Sequence, residues 1–363
     1  MNSTILHWSY RDFRQMPEEL TSCSDEVVEV YLKENFIPAI PRWFCEQMSR
    51  LTFLCLAGNL ITYVPEEISL LINLESLDVS QNVVEALPKS VGKLQRLIRL
   101  KLSENKLTGL PKEIGQLQNL EILELSKNRL TELPIEMSHC LGLQELILDD
   151  NYFLCRIPTK VFTMPQITYL SAERCNLLLL PFIVNTDSLE FVKLFKNYTL
   201  THYPMVLERF MQPNYDQFNA VQQNRTLKPF YYQRVRCDAS SQNLIFPAEL
   251  VTILDRRKSL QMPGSLVEIA LRRCSIAKWS RCASLKDCIP SELYARLRSG
   301  PVATCASIPC SNGIFSECVL GLVKRKKQAR LVVLSVLFCS KLCADLWFQY
   351  NCDVFEELSW ALV

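Results

Sequence analysis

An asparagine returns along this chain at an almost constant interval: Asn35, Asn59, Asn82, Asn105, Asn128 and Asn151 are separated by 24, 23, 23, 23 and 23 residues. Around each lies one pattern, L-x-L-x-x-N-x-L-x-x-L-P, most regular in LESLDVSQNVVEALP, LIRLKLSENKLTGLP and LEILELSKNRLTELP. The register continues through Cys175, which takes the asparagine's place, to Asn197, making eight units. Pro41, Pro65, Pro88, Pro111, Pro134, Pro158, Pro181 and Pro204 close them. A repeat of this length and regularity predicts a solenoid in which every unit stacks only on its neighbours.

Each unit supplies one short strand whose alternating leucines, such as Leu100 and Leu102 or Leu123 and Leu125, point inward, while the Leu-Pro pair turns the chain back. No unit can bury its apolar face alone. The asparagine amide satisfies backbone groups where the chain leaves the strand, so its side chain is predicted to face inward and stack as a ladder. In LHWSYRDFRQMP, Pro17 marks a degenerate unit with Arg11 at the asparagine position, an N-terminal cap over residues 1–24. The units ending at Pro158 and Pro204 carry one extra residue, so regularity fades towards the end of the array.

These repeats resemble the intracellular leucine-rich repeats of the Ras-scaffold and Scribble type, in which LPxxIxxLxxL forms a short helix on the convex side. PEEISLLINL, PKSVGKLQRL and PKEIGQLQNL carry that match. The resemblance covers roughly residues 25–204 and implies an α/β horseshoe with a parallel sheet on its concave face, used to recognise protein. Strand positions between the leucines then face the partner. Among them Tyr31, Phe53, Asp78, Arg99, Lys101, Glu124, Tyr169 and Phe191, with Asp149 beside the ladder, form the candidate binding set. Any one of them taken alone is compatible with a solvated sheet, because few interface residues carry most of the energy.

Composition narrows the rest. In 363 residues, 40 basic and 38 acidic side chains nearly cancel, so no global field draws the protein to nucleic acid or an anionic membrane. A 48% apolar and 21% charged content supports a buried core. MNSTILHWSYRDFRQ lacks the continuous apolar stretch of a secretory signal. The run LVVLSVLFC, Leu331 to Cys339, is about half the ~20 residues of a membrane span and reads as a buried strand. The expected location is cytoplasmic, a nuclear one being left open by Lys324, Arg325, Lys326, Lys327 and Arg330, which also read as a solvated hairpin turn. Sixteen cysteines scattered through a large core read as reduced thiols, and glycosylation triplets at Asn2, Asn197 and Asn224 read as chance.

After Pro204 the period ends. Residues 205–262 read as an irregular capping segment, with a short helix in FPAELVTILDRR, and residues 263–363 as a small α+β cysteine-bearing region. PGSLVEIALRRCSI places Leu266, Ile269, Ala270 and Cys274 on one helical face. With Ser265, this helix resembles the elongin-binding box of the suppressor-of-cytokine-signalling type, although alanine stands where cysteine is usual and Cys274 stands for an aliphatic. Pro290, Leu293 and Leu297 resemble the cullin-selecting part of such boxes, without the full Leu-Pro-x-Pro. The resemblance implies a substrate receptor of a cullin ubiquitin ligase. An ordinary packing helix, and with it a plain signalling scaffold, is the alternative.

Cys305-x4-Cys310 and, after 28 intervening residues, Cys339-x3-Cys343 pair four thiols that together could hold a tetrahedral zinc ion, with Cys318 as a spare ligand. Four cysteines packed as small hydrophobes is the competing reading. Repeats followed by LIFPAEL, SLVEIALRR, IPSEL, paired cysteines and VLFCSKLC also resemble a group of small leucine-rich-repeat-containing proteins with a shared cysteine-bearing tail. No enzyme is expected: His139 beside Cys140 lacks an orienting third group, and nine glycines include no phosphate-cradling loop.

Overall fold

The computed structural model describes residues 4–185, 187–200, 202–211, 232–239, 243–247, 250, 252–255, 266–276, 289–307, 310, 312–326 and 332–362. Asn2, Asn224, Ser265, Lys327 and Arg330 lie outside them, and of Cys274 only the helical backbone is described. The chain divides into two compact units, Met1–Leu177 with Asn185–Asn197, and Leu178–Val184 with Tyr198–Val363.

In the first unit nine strands run parallel in chain order: β1 Thr4–His7, β2 Val27–Tyr31, β3 Phe53–Cys55, β4 Ser76–Asp78, β5 Arg99–Lys101, β6 Ile122–Glu124, β7 Glu145–Ile147, β8 Tyr169–Ser171 and β9 Phe191–Lys193. Their central leucines, Leu54, Leu77, Leu100, Leu123, Leu146 and Leu170, pair in register and are fully buried. Period-2 alternation fixes this arrangement, since a one-residue slip would send the leucines to the open face. The degenerate first repeat joins the same sheet through β1, and Asn35 Oδ1 accepts from the Arg11 and Phe13 amides at 3.0 and 3.1 Å.

Leaving each strand, the backbone passes through one left-handed residue before the ladder position. Glu34, Gly58, Gln81, Glu104, Lys127, Asp150, Arg174 and Lys196 all have φ between 51° and 67°. Only at Gly58 does a glycine relieve the strain. Elsewhere about 1–2 kcal/mol per residue must be met by other interactions, and the ladder supplies them. Asn105 is representative: its Nδ2 donates to the carbonyls of Val79, Leu102 and Ser103, and its Oδ1 accepts from the Val84 amide at 2.9 Å. Asn59, Asn82, Asn128 and Asn151 bridge neighbouring units in the same way. Asn197 is a buried member of the ladder, as its register requires, so its glycosylation triplet presents no free amide.

On the return side Pro41, Pro65, Pro88, Pro111, Pro134 and Pro158 each open a short helix, whereas Pro181 does not. The first, α1 Arg42–Gln47, is α-helical; Glu66–Leu70, Lys89–Lys93, Lys112–Gln116, Ile135–His139 and Thr159–Thr163 are 3-10 turns. Proline suits this start because it needs no amide partner there. The aliphatic of LPxxI, as in Ile68 and Ile114, is fully buried. Successive turns approach so closely that a Cβ on Gly115 would lie 2.2 Å from the Glu136 carbonyl oxygen, which explains the glycine.

The second unit contains β10 Tyr203–Pro204, α2 Glu208–Met211, β11 Tyr232–Cys237, β12 Asn243–Pro247, β13 Thr252–Asp255, α3 Leu266–Ile276, α4 Ser291–Ser299, β14 Ala303–Thr304, β15 Gly313–Ile314, β16 Glu317–Arg325, β17 Leu334–Phe338, α5 Lys341–Asn351, β18 Phe355–Glu357 and β19 Trp360–Leu362. Its main sheet has the order β10-β17-β16-β13, with β18 also pairing β16; β12-β11-β19 form a second sheet and β14-β15 a hairpin. Pro204, the last repeat proline by sequence, thus sits in this unit's sheet, with Pro204 opposite Ser335. The run read as a buried strand is β17, all five residues buried.

The helix expected in FPAELVTILDRR is not formed. Phe246 and Pro247 end β12, and Thr252–Asp255 is a strand paired in parallel with Glu317–Leu320 of β16. A short apolar run reads alike as buried helix or strand, and here a partner more than 60 residues away decides. The basic run lies where β16 and β17 pair antiparallel, as a hairpin requires, but its first two residues still belong to β16 and are engaged: Lys324 pairs Glu356 at 3.1 Å, and Arg325 pairs Glu208 while lying over the Phe355 ring. In the core His202 stacks on Phe246 at 4.3 Å. Its Nε2 donates to the Ile245 carbonyl at 2.7 Å and its Nδ1 meets the Ser335 hydroxyl at 2.8 Å. Burial pushes its pKa down to about 4, so it is a neutral structural residue.

Candidate functional site

The strand register arranges the open face of the first unit as two continuous rows. One runs Ile5, Glu29, Phe53, Ser76, Arg99, Ile122, Glu145, Tyr169, Phe191; the other runs His7, Tyr31, Cys55, Asp78, Lys101, Glu124, Ile147, Ser171, Lys193. Of the candidate set, all but Asp149 lie in these rows. Ile5 and His7 extend the rows beyond the positions that the repeat pattern marks, because the first repeat has lost its leucine pattern.

The two ends are aromatic. At the N-terminal end His7, Tyr31 and Phe53 stack across three strands with ring centroids 4.6 and 4.7 Å apart, and the Tyr31 hydroxyl donates to Glu29 at 2.9 Å. At the other end Tyr169 and Phe191 tilt together at 6.5 Å, with Lys193 Nζ 5.3 Å from the Tyr169 ring centre. Phe191 is 58% exposed, a large ring left open at the edge of the sheet. Such stacks fix side chains before any partner arrives and lower the entropy lost on binding.

Between them the face is charged. Lys101 Nζ meets Glu124 at 2.9 Å, and this hydrogen bond raises the lysine's pKa. Arg99 is exposed and makes no ion pair among the described residues. Asp78 accepts from the Ser80 amide at 2.9 Å. Asp149 is occupied internally, accepting from the Ser171 hydroxyl at 2.6 Å and the Glu173 amide at 2.7 Å. Its neighbour Asp150 forms a two-pronged pair with Arg174 at 2.6 and 2.8 Å, which holds the carboxyl below its ordinary range. Arg174 was not legible as a partner, because it stands beside the one broken rung, Cys175.

In the second unit the four paired cysteines converge. The Sγ atoms of Cys305, Cys310, Cys339 and Cys343 all lie within 4.8 Å of one another. Cys310 and Cys339 are 3.4 Å apart, and Cys339 and Cys343 3.7 Å. Thiol hydrogen bonds from Cys305 and then Cys310, with a contact from Asn312 Nδ2, push the Cys339 pKa down to about 4, while Cys305 is raised. The spare ligand is elsewhere: Cys318 is buried in β16 among Ile253, Leu320 and Leu337, where strand alternation turns it into the core. No described cysteine is in a disulfide.

The docking-helix candidates fall on α3 and α4. Leu266 is 85% exposed, Ile269 and Ala270 are exposed, and Pro290 is exposed at the start of α4 with Leu293 half-buried. The opposite side of α3 holds the helix down through Glu268 and Leu271, both buried, and Leu271 packs with Leu297 and Phe315. His139 and Cys140 do not form a reactive pair. The Cys140 thiol is fully buried, donates to the Ile114 carbonyl at 3.1 Å and is pushed up to about 12. Among the described residues no helix is long and apolar enough to cross a membrane.

Residues 42–126 match the leucine-rich repeat region family, and residues 119–140 the leucine-rich repeat family. No curated protein matches the chain. Among solved structures it is similar to a leucine-rich-repeat protein of Leptospira interrogans, 23% identical over 54% of this chain and 61% of that one, with a TM-score of 0.43. It is also similar to two proteins of Listeria monocytogenes. Internalin C2 is 21% identical over 47% of this chain and 71% of that one, with a TM-score of 0.41; the internalin InlF is 13% identical over 44% and 52%, with a TM-score of 0.37. The chain thus spans less than two thirds of the Leptospira protein and of InlF. The family matches over residues 42–140, with a nine-stranded parallel sheet bound by an asparagine ladder, give the first unit the fold of a leucine-rich-repeat solenoid.

Proposed function

We propose that the chain is a non-catalytic interaction module that captures a protein partner on the open face of its nine-stranded sheet. The observation that carries this reading is the pair of side-chain rows, pre-stacked aromatics at both ends and a mixed-charge centre between them. A rigid surface of this chemistry suits an extended protein surface with apolar anchors at its ends and charges of both signs between. Aromatic and arginine side chains are the groups that dominate such interfaces. Arg99 and Phe191 are exposed, so changing them alters recognition without opening the core. Arg99→Glu with Phe191→Ala is expected to weaken partner binding at least about a hundredfold, a tenfold loss from each, with an unchanged melting temperature. Binding to the purified partner by calorimetry checks this; equal affinity of variant and wild type would remove the open face from the account.

A second observation supports a more specific role as a substrate receptor of a cullin ubiquitin ligase in the cytoplasm. The stripe of α3 that resembles an elongin-binding box, Leu266 with Ala270, points away from the helix's own packing side. A packing helix would bury that stripe. Leu266→Asp is expected to abolish co-precipitation of elongins and a cullin while partner capture by the repeats persists. If wild-type protein brings down neither elongin nor cullin, the scaffold reading stands instead.

A further inference from the structure

We propose that Cys305, Cys310, Cys339 and Cys343 hold one zinc ion in a closed four-thiolate site that joins three separate elements of the second unit. The ligands arrive in two pairs from different places. Cys305 follows β14 and Cys310 precedes β15, so the first pair comes from the turn of that hairpin. Cys339 follows the last residue of β17, and Cys343 lies in the first turn of α5, whose cap residue Ser340 accepts the Cys343 amide at 3.3 Å. Nothing local in sequence brings the two pairs together; the antiparallel pairing of β16 with β17 and the packing of the hairpin do so.

Distances fit the ion. Zinc–sulfur bonds of about 2.3 Å in a tetrahedron place sulfurs about 3.8 Å apart, and the separations of 3.4 and 3.7 Å lie close to that edge, with all others below 4.8 Å. They are far beyond a disulfide's ~2.05 Å. Groups around the sulfurs are donors, as thiolates require: the Cys339 amide lies 3.4 Å from Cys305 Sγ and Asn312 Nδ2 3.8 Å from Cys339 Sγ. The backbone of Asn312 is tied in turn, its main-chain carbonyl accepting the Cys305 amide at 2.8 Å.

The other buried cysteines provide an internal comparison. Among the described residues Cys45, Cys55, Cys140, Cys175, Cys237 and Cys318 are also buried, yet only one group of metal-ligand side chains converges. Small-hydrophobe packing accounts for isolated thiols and gives no reason for four sulfurs to meet. With four protein ligands the ion has no open position, so the site is structural rather than catalytic. Thiol protons leave to solvent on binding, so affinity rises with pH until all four thiols are ionised. Four thiolates and Zn²⁺ leave two negative charges, which the N-terminus of α5 and the nearby amides oppose. The β14–β15 hairpin leads into Phe315 and Ser316, the residues that anchor α3, so the ion fixes the base on which that helix stands.

Elemental analysis of the full chain, purified without chelator, tests the proposal. One zinc per chain is expected, falling to background in Cys339→Ser and in Cys305→Ser and retained in Cys318→Ser. Because a ligand variant can fail to fold, a second measurement uses wild-type protein: stripped of metal and titrated with cobalt, it should show the visible absorption of a tetrahedral cobalt thiolate at one equivalent, bleached by added zinc. Wild-type protein that carries no zinc and gives no such absorption overturns the proposal, as does a Cys339→Ser variant that keeps its full zinc content.

Discussion

Replacing Asn105 with alanine should destabilise the repeat unit by about 3–6 kcal/mol, because it strands one buried amide and weakens three carbonyl contacts at a cost of about 1–3 kcal/mol for each group left unpaired. The Val84 amide loses its acceptor at 2.9 Å, and the carbonyls of Val79, Leu102 and Ser103 lose a donor. Asn105 is only 7% exposed, so water reaches these groups poorly. The same residue also offsets the left-handed backbone of Glu104, at φ 58°. Loss at the middle of a stack breaks coupling between neighbours, so urea unfolding should become less cooperative as well as earlier. Cys175 shows what a poorer rung provides: its thiol reaches the Leu148 and Glu173 carbonyls at 3.3 and 3.5 Å but carries no amide oxygen. An Asn105→Cys variant should therefore fall between wild type and alanine. A melting temperature unchanged by Asn105→Ala would show that the ladder does not hold the array together.

Glu268→Ala should cost about 3–5 kcal/mol in the second unit, the range for removing one partner of a buried charged network. The carboxylate is fully buried in α3 and accepts from the Phe315 amide at 2.9 Å, the Ser316 amide at 2.8 Å and the Ser316 hydroxyl at 2.9 Å. Arg272, one turn on, approaches it at 2.9 Å. Alanine leaves two backbone amides and a guanidinium facing a cavity. The loss is local to the contact between α3 and the Phe315–Ser316 backbone, so the sensitive readout is hydrogen exchange over residues 266–276 and 313–317, which should accelerate together. Glu268→Gln keeps the shape and part of the acceptor capacity and should fall in between. Exchange that stays at the wild-type rate in Glu268→Ala would mean that α3 is held by Leu271 and its apolar neighbours alone.

How far these features could be read from sequence follows from the reach of each constraint. The solenoid was legible because every unit restates the same local rule: leucines two apart, an asparagine, then Leu-Pro. The open face followed from strand alternation, and only the degenerate first repeat hid Ile5 and His7. The second unit depends on partners far apart in the chain. Thr252–Asp255 is a strand because β16 lies beside it, and residues this short carry no period of their own. Nothing local in the sequence marks Glu268 as buried, since the Phe315 and Ser316 amides that it accepts lie more than 45 residues away. The spacing of the cysteines showed two pairs, but their convergence rests on the β16–β17 pairing. The stripe on α3 was visible as a stripe; that it faces outward was not.

The same division separates recognition from assembly. The rows on the repeats are fixed by register and need no rearrangement to meet a partner, whereas α3 stands on a base of Glu268 contacts beside the four-cysteine cluster. If both proposed functions hold, substitutions on the repeats should alter partner capture and spare binding through α3, and substitutions on α3 the reverse.

The most direct measurement is a quantitative comparison of the proteins captured by the wild-type chain, by the Arg99→Glu, Phe191→Ala variant of the open face, and by a Lys112→Glu, Glu136→Lys variant on the opposite, helical side. All three should show equal thermal stability. Captured repeat-dependent partners should disappear with the open-face variant and remain with the helical-side variant. Partners that survive the open-face changes and are lost with the helical-side changes would contradict it.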